Sequence, residues 1–119
     1  MELADYSRIA VAQKMICVEY SAEFVPCPPE SKLGFAVATE GKLPVNGLRH
    51  QAEGETNGWY IWCGNDFSDK PEFFAPLHAS HLYEDHHEMV KLLGLAPGYR
   101  FLLAPDHLDV WFDASLLDI

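Results

Sequence analysis

The sequence predicts an α+β domain with a mainly antiparallel sheet of about four strands and two helices packed on it. Three observations carry that prediction. Residues 5–20 and 80–93 place apolar side chains at helical spacing. Short apolar or alternating runs elsewhere are bounded by glycine and proline, which is how strands are punctuated. The last two such runs are separated by only four residues, too few for a crossover helix, so they pair as a hairpin. At 119 residues the chain is one domain, 1–119, without internal repeats.

The first helix rests on Ile9, Ala12, Ile16 and Tyr20, with Lys14 and Glu19 on its other side. Pro26, Pro28 and Pro29 then forbid helix and put the chain into an extended or turn conformation. Leu33 to Thr39 is the first strand: Leu33, Phe35 and Val37 point one way, and Gly34, Ala36 and Ala38 offer a small-residue face for a helix. Residues 40–57, broken by Gly41, Pro44, Asn46-Gly47 and Gly54, read as a long loop with one short extended piece. Gly58 to Gly64 is apolar on both faces and therefore a central strand. Asp66 to Pro76 is a turn, with Ser68 or Asp69 capping, Pro71 at a first helical position and Phe73-Phe74 folding inward. The second helix opens at Ser80, buries Leu82, His86, Met89 and Leu93, and stops at Gly94 and Pro97. Strands Tyr99–Ala104 and Asp109–Asp113, joined by Pro105-Asp106-His107-Leu108, end the fold.

Eighteen acids against eight bases give a net charge of −10, a field that repels phosphate backbones and anionic lipid. Nucleic acid and membrane surfaces are therefore not the expected partners. Residues 58–119 hold ten of the acids and three of the bases, so a basic partner would meet that half. The same charge also keeps a small domain soluble. Three cysteines, Cys17, Cys27 and Cys63, with no C-x-x-C pair, suit a reducing compartment. With acid near the N-terminus where a signal peptide needs base, the expected location is the cytoplasm.

Several residue sets have side chains that could carry chemistry. His78, His81 and Asp85 are spaced so that two of them share a helix face, the arrangement a metal site would use. No H-E-x-x-H pattern accompanies them, and a polar helix face is the plainer reading, so no metal or other cofactor is expected. Cys63 ends a strand ahead of a turn, a place to present a nucleophile, yet no catalytic signature surrounds it and free cysteine is usually buried. Carboxylates cluster as Asp66/Asp69/Glu72, Glu84/Asp85/Glu88 and Asp106/Asp109/Asp113. Beside Trp59, Trp62 and Trp111 they suit docking of a basic protein more than acid–base catalysis.

Three segments carry a family resemblance: Lys42-Leu-Pro-Val-Asn-Gly-Leu-Arg-His50; Asn57-Gly-Trp-Tyr-Ile-Trp-Cys-Gly-Asn-Asp-Phe-Ser-Asp69 running on through Phe73-Phe74-Ala-Pro-Leu-His78; and Leu93-Gly-Leu-Ala-Pro-Gly-Tyr-Arg-Phe-Leu-Leu-Ala-Pro105 with Asp109-Val-Trp-Phe-Asp113. The chain resembles the immunity-protein-33-like family, bacterial proteins assigned to polymorphic toxin systems, over roughly residues 13–117 by pattern. The resemblance implies a non-enzymatic binder that neutralises a cognate toxin, and it transfers no catalytic residues. Charge and loop position then nominate Glu53, Glu55, Asp66, Asp69, Glu72, Asp106 and Asp109 for partner binding. A small-molecule or regulatory binding module, with Trp59, Trp62 and Trp111 lining a pocket, is the second reading. A hydrolase built on His78, His81 and Asp85 is the third.

Overall fold

The computed structural model describes residues 3–68, 70 and 72–118, with backbone alone for Leu3–Asp5 and Asp85. The class is α+β as expected, but the sheet is larger and mixed. Six strands, β1 (Lys32–Phe35), β2 (Val45–Arg49), β3 (Thr56–Cys63), β4 (Ala75–His78), β5 (Tyr99–Ala104) and β6 (His107–Phe112), lie in the order β4-β1-β3-β2-β5-β6. The β1–β3 pair is parallel, and every other neighbouring pair is antiparallel.

The two unforeseen strands have legible reasons. β2 lies inside the stretch read as a long loop, because Asn46-Gly47 imitates a turn. Its glycine is there for space: a Cβ on Gly47 would sit 2.2 Å from the Phe101 ring on the neighbouring strand. β4 contains Pro76, which an edge strand tolerates because its outer side needs no ladder bond. The Leu43–Pro44 bond ahead of β2 is cis.

Other boundaries shift as well. The strand expected over Leu33–Thr39 ends at Phe35, and Val37–Thr39 turns into a short 3-10 helix that leaves Val37 exposed. Thr39 holds that turn in place: its hydroxyl donates to Ala36 O at 2.6 Å and accepts the Cys63 N–H at 2.9 Å. The small Gly34 faces the Tyr60 ring and the Phe74 Cβ, not a helix. The last hairpin is tighter than expected, with Ala104 paired to His107 across a Pro105-Asp106 turn.

The helices are α1 (Leu3–Glu19), α2 (Ala79–Asp85) and α3 (His87–Val90). α2 starts one residue before the expected Ser80 cap, since the Ala79 and Ser80 N–H groups donate to Ser31 O and Pro29 O, both at 2.9 Å. The single second helix is broken at His86, whose backbone leaves the helical region and whose Nε2 lies 3.1 Å from Glu40 Oε2. Leu82, Met89 and Leu93 are buried as expected, while His86 stays half-buried in that pair. On α1 the fully buried residues are Gln13 and Cys17, flanked by the half-buried Ile9, Ile16 and Tyr20; Val11, Met15 and Val18 face outward.

One face of the sheet packs on the helices. Leu33, Phe35, Trp59, Ile61 and Phe101 from the strands meet Cys17, Leu82, Tyr83, Met89, Val90 and the Leu92–Leu95 segment. Each fully buried large apolar side chain contributes about 1.5–3 kcal/mol, so this layer supplies most of the driving force for folding. Within it sits a cation. Arg49 is 2 % exposed and donates only to backbone carbonyls: Nε to Asn57 O, Nη1 to Val25, Leu93 and Leu95 O, and Nη2 to Pro26 O, at 2.8–3.4 Å. Its guanidinium also lies over the Trp59 ring at 5.6 Å. Five carbonyls from three irregular segments are thus satisfied by one side chain. Burial lowers the Arg49 pKa below its ordinary value, with Cys27, Tyr83 and Cys17 opposing that shift.

Asn57 and Gly58 form a bulge in β3 that makes this arrangement possible. Lys32 pairs with Thr56 but Gly34 pairs with Tyr60, so the ladder slips across them. The slip frees Asn57 O for Arg49, while Asn57 Nδ2 lies 2.9 Å from Ser31 Oγ and 3.1 Å from Cys27 Sγ. Tyr83 donates its hydroxyl to Cys27 O in the same buried cluster.

Burial raises the pKa of Cys17, Cys27, Cys63 and Tyr83 above their ordinary values. A raised folded pKa gives stability that is complete below the unfolded pKa and lost as pH rises above it. Urea midpoints are therefore expected to fall from about pH 9 upward, where unfolded thiols and then phenols ionise. Tyr83→Phe is expected to flatten the part of that fall above about pH 10. A midpoint constant to pH 11, roughly a unit past the free phenol pKa, would contradict this reading.

Candidate functional site

The other face of the sheet is built by the alternate residues of the same strands. Its central row runs Pro76, Gly34, Tyr60, Leu48, Arg100, Trp111 from one edge to the other. The next row runs Trp62, Asn46, Leu102, Asp109. Directly opposed residues on neighbouring strands share a face, so these side chains form one continuous surface.

Half of that surface is roofed by the segment joining β3 to β4. Phe67, Phe73 and Phe74 contact one another and cover Tyr60 and Trp62, with ring centroids 4.9–6.2 Å apart in mostly edge-to-face geometry. Such pairs add about 0.5–1.5 kcal/mol each beyond the area they bury. Phe73 and Phe74 fold inward as expected, Ser68 Oγ accepts the Lys70 N–H at 3.2 Å, and Pro71 lies outside the described residues. At the opposite end, the 3-10 helix Ala114–Asp118 meets the residue that follows β2, with His50 Nδ1 3.0 Å from Leu116 O.

What stays open lies over β2, β5 and β6. Its floor is Leu48, Asn46 and Leu102, all half-buried. Its two aromatic flanks are exposed: Phe67 is 56 % accessible and Trp111 43 %. Arg100 lies over the Trp111 ring at 5.6 Å and bonds Asp113 Oδ2 at 3.2 Å, so its charge is answered from within the chain. Two bonds from Ser115 to Asp113 Oδ1, followed by Arg100, hold the Asp113 carboxyl below the usual carboxylate range.

The sequence-nominated acids divide between two ends of the sheet. Asp66 follows β3, and Asp106 tips the β5–β6 hairpin at the same end, since Val45 pairs with both Cys63 and Leu103. Asp109 stands on β6 within the open face, 2.8 Å from His107 Nε2. Glu72 is exposed on the aromatic roof segment, and Asp69 lies outside the described residues. Glu53 and Glu55 occupy the β2–β3 turn instead, separated from Asp66 by the length of β3, roughly 25 Å. Glu55 pairs with Lys32 at 3.0 Å, which lowers its pKa. Asp66, Asp106 and Asp109 therefore belong to one surface, and Glu53 and Glu55 to another.

The other candidates separate too. Trp59 is buried in the core, Trp62 is under the roof and Trp111 is exposed, so the three tryptophans do not line one pocket. His78 and His81 stack at 6.1 Å, and the Asp85 side chain lies outside the described part. Among the described residues no three His, Cys, Asp or Glu side chains come together as metal ligands. Cys63 is buried, and burial first of all pushes its thiol pKa up, the opposite of an activated nucleophile. A depression of about 220 Å³ between β1 and α2 is lined by Phe35, Val37, Glu40, Leu77, His81, Leu82 and His86.

Sequence reasoning nominated the acids without Phe67, Leu48, Leu102 and Arg100, which surround Asp66, Asp106 and Asp109 on the open face. The alternation of Val45-Asn46-Gly47-Leu48-Arg49 was the available signal, hidden by its Asn-Gly pair. No described helix is long and apolar enough to cross a membrane.

Comparison with known proteins places the chain in a family. No curated protein and no solved structure matches the chain. The family model described as the Imm33-like domain matches residues 12–113, which includes all six strands and most of the helical layer. The chain belongs to the Imm33-like family of immunity-type proteins.

Proposed function

We propose that this protein is a non-catalytic, stoichiometric inhibitor of a basic toxin domain, acting in the cytoplasm of the cell it protects. The single observation that carries the reading is the open sheet face. It has an apolar floor of Leu48 and Leu102, exposed Phe67 and Trp111 at its flanks, and Asp66, Asp106 and Asp109 around it. Interfaces concentrate their energy in a few aromatic anchors, and complementary charge sets the rate of encounter. The net charge of −10 extends that attraction beyond contact. Glu53 and Glu55, at the far end of β3, contribute to the long-range field only.

The test is capture of a basic protein partner from host extract by the purified protein, followed by association kinetics at low and high salt. Asp66→Lys with Asp109→Lys is expected to slow association about tenfold or more at low salt, with a smaller effect at high salt. Trp111→Ala is expected to raise the dissociation rate about thirtyfold, the loss of a hot spot worth about 2 kcal/mol. Glu53→Lys with Glu55→Lys is expected to change association by less than about threefold. Wild-type kinetics in the first two variants would remove this face from the interface.

The small-ligand reading has the depression beside Glu40 and His86 as its best support. At about 220 Å³ it is smaller than the roughly 300–1,000 Å³ usual for ligand pockets.

A further inference from the structure

The sheet ends at β6, and no described strand or helix pairs with its outer side. Asp113 N–H donates to Gly98 O at 2.7 Å, which sets the phase of the β5–β6 ladder. Inward and outward bonding alternate along an antiparallel strand. His107, Asp109 and Trp111 therefore bond to β5, and Leu108, Val110 and Phe112 turn their N–H and C=O groups outward. The register along β6 is unbroken, and the strand contains no proline, no lysine and no bulge, the usual devices that blunt an edge.

We propose that β6 pairs with β6 of a second copy, antiparallel across a two-fold axis at Val110. The side chains select this register. Outward groups must face outward groups, so the strand can slide only in steps of two residues. With Val110 opposite itself, Leu108 faces Phe112 of the second copy, Asp109 faces Trp111, and His107 faces Asp113. All three outward residues then bond, giving six main-chain hydrogen bonds. Slipping one step either way puts Asp109 opposite Asp109 or opposite Asp113, both like-charge contacts that cross-strand pairing disfavours. Phe112, 52 % exposed in the single chain, gains Leu108 of the second copy as an apolar partner in the selected register.

Two copies of net charge −10 repel, and salt screens that repulsion. Self-association is therefore expected to strengthen with salt, opposite in sign to capture of a basic partner, and it is independent of the toxin reading. The experiment is sedimentation velocity of the full chain from micromolar to millimolar concentration, in about 0.05 M and about 0.5 M NaCl. A reversible dimer favoured at high salt is expected, together with slowed amide exchange at Val110 as concentration rises. Val110→Pro removes the outward N–H at the axis and leaves the β5 ladder untouched, so dimerisation is expected to weaken about tenfold or more. His107→Asp, on an exposed position, places like charges opposite Asp113 and is expected to weaken it about threefold with the fold unchanged by circular dichroism. A monomer at every concentration in high salt overturns the proposal. So does a dimer that His107→Asp and a folded Val110→Pro leave at wild-type strength.

Discussion

Replacing Arg49 by Met is expected to destabilise the protein by about 3–5 kcal/mol, the largest effect of any single substitution considered for this chain. Methionine fills much of the volume but donates nothing. Asn57, Val25, Leu93, Leu95 and Pro26 would each lose a donor inside the protein. Each buried, unpaired carbonyl costs about 1–3 kcal/mol, partly relieved by water entry and by the hydrogen bond Leu93 O keeps from Trp59 Nε1 at 2.9 Å. Arg49→Lys keeps the charge but not the planar fork, and one ammonium cannot span carbonyls from three segments. It is expected to cost about 2 kcal/mol. Urea unfolding at neutral pH measures both. Equal stability of the Met variant and the parent would show that the irregular segments hold together without the guanidinium.

Gly58→Ala is expected to cost about 3 kcal/mol or more, from a single added methyl group. Gly58 has φ +92, a conformation that side chains disfavour, and its Cβ would fall 2.0 Å from His50 O. That oxygen belongs to backbone held in register, because His50 N–H donates to Gly58 O at 2.9 Å. Neither side yields without breaking the β2–β3 ladder. Gly54→Ala provides the comparison. It also has positive φ, at +62, but nothing lies within 4 Å of its Cβ. Its cost is expected to be about 1 kcal/mol, the conformational part alone. Similar melting temperatures for the two variants would assign the Gly58 effect to φ, with no part for the contact.

Both substitutions act on the joint that the sequence concealed. Arg49 read as one base in an irregular loop, and Asn57-Gly58 as turn punctuation. Arg49 is instead the end of a central strand, and Asn57-Gly58 a bulge that aims a carbonyl at it. Local rules favour a surface position for arginine and a turn for Asn-Gly, and the tertiary structure overrides both. The helix break at His86 was concealed for the same reason. Its spacing continues the apolar stripe, yet its imidazole pairs with Glu40, a residue 46 positions away.

The sequence by itself determined the α+β class, the central Gly-Trp-Tyr-Ile-Trp-Cys strand, the closing hairpin, the proline-enforced end of the first helical region and the family. These depend on local periodicity, on residues with restricted backbones, and on motifs read in order. Only the tertiary structure decided the six-strand order, the parallel β1–β3 pair and the roofing of half of one face by Phe67, Phe73 and Phe74. It alone divided the acids, bringing Asp66, Asp106 and Asp109 to one surface and leaving Glu53 and Glu55 at the other end of β3. Strand order and face depend on which distant segments share a ladder, and each ladder is chosen by packing the whole core at once.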